Sequence, residues 1–342
     1  MLIQANEILQ IAIATLLALG CILLIRHAKS GQHSWTGIAF IVSILCYVIV
    51  ESSIVQSLPA LRTVVILGAI CTPILFWLLS RAIFDDHFKF VPSIIWFFIL
   101  QIIPHFNFFI CGLISWPSFA RVSAVAAGFT SFGFVLAGLY TAWRTKQSDL
   151  IDSRLRFRNI FITITATLIG LTLIGESVPI DHETTLFLQV LQRFSIFVLT
   201  LYFLISNFEI RSGFFFREIP KPKAQPFEDR LLNEKLQSLM NNQNIYKKEG
   251  LTIRELATLL NEQEYRLRKL INGQLGFRNF NDFLNQYRIN DACEILSDPT
   301  QARKTILEIA YDLGYQSIGP FNKAFKDLKG VTPTAYRKSQ FD

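Results

Sequence analysis

Up to Phe216 the chain is a succession of apolar runs parted by short polar gaps. Each run is roughly 15 to 25 residues long, and as helix such a run crosses about 30 Å of hydrocarbon. Seven blocks can be drawn: Ile8 to Ile25, Trp35 to Val50, Thr63 to Ser80, Val91 to Ile110, Val122 to Trp143, Ile160 to Ile174 and Thr185 to Ser206. The chain is 51% hydrophobic, above the usual soluble level, and the excess stops at Phe216. The expected fold class is therefore all-α. It comprises a seven-helix transmembrane bundle over residues 1–208, a Pro- and Lys-rich linker over 209–226 and a soluble helical domain over 227–342. In the fourth block, Pro104, His105 and Asn107 predict a kink or an end at Pro104, with Phe106 to Leu113 as an interfacial piece. Six spans are the alternative.

Short loops rich in Lys and Arg stay cytoplasmic, so loop charge sets the orientation. Odd-numbered loops carry Arg26, Lys29, Arg81, Lys89, Arg144, Lys146, Arg154, Arg156 and Arg158, nine in all, against Arg62 and Arg121 in the even ones. The expectation is an outside N-terminus and a cytoplasmic C-terminal domain in the inner membrane of a bacterium. No basic residue precedes Ile8, and positive charge follows the first block, the reverse of a signal sequence. The five cysteines form no C-x-x-C pair and no metal spacing.

After Phe216, "REIPKPKAQPFEDR" places Pro220, Pro222 and Pro226 where they interrupt helix, and Lys221 and Lys223 where they meet anionic headgroups. "GFFF", Gly213 to Phe216, reads as an interfacial anchor. Beyond it the pattern is helical with polar faces. Thr252 and Glu255 predict a capping box for a helix whose apolar face is Ile253, Leu256, Ala257 and Leu260. A second helix turns Leu267, Leu270 and Ile271 inward. A linking helix, Asn281 to Leu296, buries Phe283, Leu284, Tyr287 and Ala292. Ile306, Ile309, Ala310 and Leu313 then repeat the first apolar face, Gly314 makes the turn, and Ser317 caps a helix from Ile318 to about Leu328. Pro320 sits in its first turn, where the missing N–H costs little. Phe321, Ala324 and Phe325 face inward. The result is two helix-turn-helix units joined by one rigid helix.

In these residues the chain resembles the DNA-binding domain of AraC/XylS-type bacterial transcription regulators, over roughly Leu251 to Arg337. The specific matches are "EIAYDLGYQS", "FNKAFK" and "GVTPTAYR", with "ELA", "LRKLI", "LG" and "YRIN" in the first half. The resemblance implies that the second helix of each unit enters the major groove of double-stranded promoter DNA. Carried over by position, the base-facing candidates are Tyr265, Arg268 and Lys269, then Ile318, Gly319, Asn322 and Lys323. Arg and Lys read guanine, Asn pairs with adenine, and Ile318 suits a thymine methyl. Arg266, Arg278, Ser317 and Lys326 suit phosphates. Asn261 and Glu262 depart from the small and apolar residues usual at the first turn, and Glu264 adds a negative charge. Both departures predict weaker DNA binding by the first unit. From Phe227 onward 17 Lys and Arg face 15 Asp and Glu, a net charge of +2, so placement must outweigh bulk attraction.

Ionisable and amide groups deep in an apolar block are costly and so are functional candidates: Arg193 with Gln189 and Gln192, and His105 with Asn107. The favoured function is a membrane-embedded regulator that senses a ligand or the state of the bilayer and answers at a promoter. A transporter or channel with a regulatory tail competes, although no internal repeat supports it. No H-E-x-x-H or G-x-S-x-G occurs, and the seventh block has no Lys for a retinal Schiff base, so neither an enzyme nor a cofactor is expected. The partners this reading admits are promoter DNA, the lipid bilayer, a small-molecule or lipid ligand, a second copy of the chain and, for an activator, RNA polymerase.

Overall fold

A backbone surrounded by apolar side chains has only itself to hydrogen-bond, and the described residues are accordingly helical, with no strand among them. The computed structural model describes residues 2–27, 32–50, 52–113, 117–177, 182–207 and 226–341. It divides into two units, Met1–Lys146 with Ser153–Arg211, and Gln147–Asp152 with Ser212–Asp342. The expected linker and the "GFFF" anchor lie outside the described residues, apart from Pro226.

The first unit contains α1 (Leu2–His27), α2 (Gln32–Ile49), α3 (Ser53–Ser57), α4 (Pro59–Ile70), α5 (Thr72–Phe84), α6 (Ile95–Leu113), α7 (Pro117–Arg144), α8 (Asp152–Ser177) and α9 (His182–Asn207). All the apolar blocks fall in helices. Among the described residues, Gln4–Ile25 of α1 and Arg121–Arg144 of α7 are long and apolar enough to cross a membrane, and α4 with α5 makes a third if that bent pair is one span. Shorter apolar stretches fill α2, α6 and α9.

Two blocks differ from expectation. The third is broken at Cys71, with a bend of 44° between α4 and α5. Pro73 lies in the first turn of α5 and has no N–H to continue the ladder. The fourth does not end at Pro104, which lies inside α6, so of the two expected outcomes the separate piece Phe106 to Leu113 is excluded. Gln101, fully buried on α6, donates through Nε2 to Ile70 O at the break (3.1 Å) and to Ser131 Oγ on α7 (2.8 Å).

Arginines counted as loop charges are partly interior. Arg154 makes a bidentate ion pair with Asp86 (2.8 and 2.9 Å) and donates to Ile83 O. Arg158, fully buried, donates to Ala142 O (3.1 Å) and Thr145 Oγ1 (3.0 Å) and lies over the Phe84 ring. These two side chains, one turn apart on α8, tie it to the end of α7 and to the end of α5.

The second unit contains α10 (Pro226–Asn241), α11 (Ile253–Leu259), α12 (Glu264–Gly273), α13 (Phe280–Ser297), α14 (Ile306–Asp312), α15 (Ile318–Lys329) and α16 (Pro333–Phe341). One core gathers Leu232, Leu236 and Met240 of α10 with Leu256, Leu267, Leu270, Phe280 and Phe283. A second gathers Ile289, Ala292 and Leu296 with Ile309, Leu313, Phe321 and Phe325. The linking helix α13, 18 residues long and so roughly 27 Å, serves both. Its expected seam is buried at Phe283, Leu284 and Ala292, whereas Tyr287 is half-buried and bonds Gln237.

The two helix-turn-helix units repeat in detail. Asn261 (φ 53°) and Gly314 (φ 80°) hold the same register and both take the left-handed conformation that turns α11 into α12 and α14 into α15. Asn is among the few residues besides glycine that visit it. The caps are less alike. Thr252 accepts from the Glu255 amide, but Glu255 turns its carboxylate to Lys248, so the expected box is half made. The full reciprocal box is at Thr305 and Glu308, which the sequence reading passed over.

The second unit also contains a segment from far upstream, in the first of its two cores. Leu150 N donates to Arg278 O (3.1 Å) and Phe280 N to Ser148 O (2.8 Å), around an antiparallel bridge between Asp149 and Asn279. Leu150 is 2% exposed and belongs to the core with Leu267, Leu270 and Phe280. Burying a leucine contributes about 2 kcal/mol, and each backbone hydrogen bond about 1 kcal/mol net.

Candidate nucleic-acid interface

Helix α15 is amphipathic in the sense that a reading helix requires. Phe321 and Phe325 are fully buried and Ala324 packs beside them, so the opposite face is left to solvent. Ile318, Gly319, Asn322, Lys323 and Lys326 are all exposed, and helical spacing sets them in one row. Gly319 has open space where a Cβ would stand, which allows close approach of another surface. Ser317 occupies the N-cap position with extended backbone, but its side chain makes no capping hydrogen bond. The expected side-chain cap is thus absent, because the hydroxyl is not turned to the first-turn amides. Those amides lack helical partners and sit at the positive end of the helix dipole.

The first helix-turn-helix unit is arranged differently. Tyr265 and Lys269 are exposed on one face of α12. Arg268 is 9% exposed: its Nε donates to Glu264 Oε1 (3.0 Å), its Nη2 pairs with the same carboxylate, and its Nη1 donates to Asp149 O. Arg268 therefore lies inside the unit and not on its outer face. Arg266 is half-buried on Glu262 (2.9 Å), and Arg278 is exposed while its carbonyl receives Leu150. Burial pushes the Glu264 carboxyl up, but the hydrogen bond and charge of Arg268, then those of Arg254, outweigh it and hold the pKa below the ordinary value. The stabilisation this gives is complete above the unfolded pKa and is lost as pH falls through the folded one.

Arg288 ties the segment before α11 to the second helix-turn-helix unit. It is buried on α13, donates through Nε to Tyr246 O (2.7 Å) and through Nη2 to Lys248 O (3.1 Å), and stacks over Tyr315 at 5.0 Å. Burial lowers its pKa, partly offset by Tyr315. It falls in "YRIN" and was legible only as part of that motif.

The sensing candidates do not form one site. Gln192 on α9 donates to the Tyr47 hydroxyl of α2 (3.2 Å), and Gln189 and Arg193 are half-buried on the same helix. His105 Nδ1 contacts Gln101 O within α6 (2.8 Å), where Asn107 is also half-buried. α9 packs on α1 and α6 on α7. Gln101 was missed, although the logic that selected His105 applies to it equally: one amide in an apolar run. Among the described residues no group of three His, Cys, Asp or Glu side chains could hold a metal ion.

Residues 256–339 match the model of a family described as "Helix-turn-helix domain". Comparisons with curated proteins and with solved structures returned no significant match. The match covers both helix-turn-helix units, from within α11 into α16, and with the motifs above it identifies residues 256–339 as an AraC-type helix-turn-helix domain.

Proposed function

We propose that the chain is a membrane-embedded, one-component transcription regulator, with seven spans, an outside N-terminus and a cytoplasmic reader that binds promoter DNA sequence-specifically. The observation that carries this reading is the exposed row Ile318, Gly319, Asn322 and Lys323 on α15, backed by buried Phe321 and Phe325, inside a domain of DNA-binding type. In this reading Asn322 and Lys323 contact base edges, Ser317 and the amides it leaves open meet a phosphate with Lys326, and Tyr265 and Lys269 extend the contact to a second groove segment.

The test is a titration. The full chain in phospholipid nanodiscs selects duplexes from a random-sequence pool, and the selected and scrambled duplexes are then titrated at several salt concentrations. Lys323→Ala is expected to cost about 1 to 3 kcal/mol on the selected duplex and to relax specificity at one position. Equal weakening on every duplex, with a salt slope shallower by about one unit, would instead make Lys323 a phosphate contact. If the wild-type protein enriches no sequence at all, DNA reading is the wrong function.

The membrane half of the proposal draws support from the first unit's outer surface, where Trp96, Phe129 and Trp143 are all more than 60% exposed. Lipid covers such a surface at no cost. A small apolar cavity bounded by Leu17, Gly20, Phe40, Phe161, Thr200 and Leu204 suits an apolar ligand in the sensing role. Arg193, Gln189, Gln192, His105 and Asn107 remain sensing candidates by depth. For orientation, a cytoplasm-dependent reporter fused after Gln225 is expected to be active. Activity of a periplasm-dependent reporter there would reverse the topology.

A further inference from the structure

In the register of the two repeats, Arg268 on α12 corresponds to Asn322 on α15, each lying the same distance after its helix's N-cap, Gln263 or Ser317. Asn322 is exposed; Arg268 is covered. What covers it is the Gln147–Asp152 segment, which belongs to the second unit although it stands between α7 and α8 in the chain. The Asp149 carbonyl takes Arg268 Nη1, Glu264 takes the rest of the guanidinium, and the pairing of Ser148 and Leu150 with Arg278 and Phe280 fixes the segment in place.

We propose that Gln147–Asp152 is a built-in ligand of the first helix-turn-helix unit, docked on α12 so that Arg268 is withheld from DNA, and that its withdrawal switches the protein from one-unit to two-unit reading. The inference rests on the DNA-binding function proposed above.

Three features favour a switch over a permanent brace. The docked group is a guanidinium, which has five N–H donors suited to guanine or phosphate, whereas a brace needs only Leu150 and the backbone pairing. Docking includes one leucine, two backbone hydrogen bonds, the Asn279 Nδ2 to Ser148 Oγ hydrogen bond (3.4 Å) and the Arg268 contact, a small set concentrated on one short segment. Both ends of the segment run directly into helices locked by interior arginines, α7 through Ala142 and Thr145 to Arg158, and α8 through Arg154 to Asp86. Any rearrangement of α5, α7 and α8 is therefore delivered to the segment through covalent connections a few residues long.

Asp149 and Asn279 stand opposite each other as an antiparallel pair flanked by the two hydrogen bonds, the close non-hydrogen-bonded geometry that a cross-strand disulfide fits. The experiment uses the full chain in nanodiscs of phosphatidylethanolamine and phosphatidylglycerol, with Asp149→Cys and Asn279→Cys in a background where the five native cysteines are replaced. The probe is a duplex selected from a random pool by the wild-type chain. The oxidised protein is expected to bind at least about tenfold more weakly than the reduced one, the loss of one good base contact, and to protect a shorter stretch from cleavage. Reduction should restore both, and adding Arg268→Ala should abolish the difference. Leu150→Asn, which undocks without new cysteines, should bind more tightly than wild type with a longer footprint. Failure of the disulfide to form, equal affinity and footprint in both redox states, or no gain from Leu150→Asn would each overturn the proposal while leaving DNA reading intact. A wild-type chain that selects no duplex would remove DNA reading itself, and the switch with it.

Discussion

Replacing Gly314 by alanine is expected to destabilise the second helix-turn-helix unit by about 3 to 5 kcal/mol. The residue has φ 80°, and a Cβ built on it would stand 2.3 Å from Lys247 O and 2.8 Å from the carbon of the same carbonyl. Both obstacles are backbone, so no side-chain rotation relieves them. Strain in the left-handed conformation adds about 1 to 2 kcal/mol for any residue with a Cβ. The loss should appear as faster amide hydrogen exchange across α14 and α15 and as a lower denaturation midpoint. Asn261→Gly, at the same register of the first unit, should change stability by less than about 1 kcal/mol. Equal effects at the two turns would mean that the close approach of Lys247 to Gly314 does not constrain the fold.

Arg288→Met is the second large effect, an expected loss of about 2 to 5 kcal/mol, because two carbonyls, Tyr246 O and Lys248 O, lose their donor in the interior. Methionine fills much of the volume and keeps an apolar contact with Tyr315, so the loss reports hydrogen bonding more than packing. Arg288→Lys should recover only part of it, since one ammonium does not reproduce the planar fork that reaches both oxygens. The measurement is urea denaturation followed separately in the two cores. Loss confined to one core would show that Arg288 does not couple them.

The helical architecture was legible because it rests on local rules. Run length sets the apolar helices, and 3.6-residue spacing sets α11, α12, α14 and α15. Buried Phe321 and Phe325 follow from that spacing, and so does the exposure of Asn322 and Lys323. What escaped depends on partners distant in the chain. Arg154 reads as a solvated loop charge until Asp86, 68 residues earlier, is found beside it. Arg268 reads as an outward-facing side chain until Asp149, 119 residues earlier, is found on it. The break at Cys71 had a local sign in Pro73, but a proline so near the middle of a long apolar run is also compatible with an unbroken helix, as Pro104 in α6 demonstrates.

The sharing of one core by Gln147–Asp152 and the C-terminal helices bears on how such a chain is made and how it is recombined. During synthesis Leu150 emerges long before Leu267 and Phe283, so the segment must wait, already attached to α7 and α8, for the helices that will enclose it. The C-terminal helices therefore close this core around a segment made before them. A cut at the linker, where a domain border would naturally be drawn, separates Leu150 from its neighbours. In a graft of residues 226–342 onto another chain, the place of Leu150 in the core is left unfilled unless the loop between α7 and α8 is carried along. Under the switch proposed above, a graft without that loop leaves Arg268 uncovered, so simple fusion yields a C-terminal domain fixed in its undocked form.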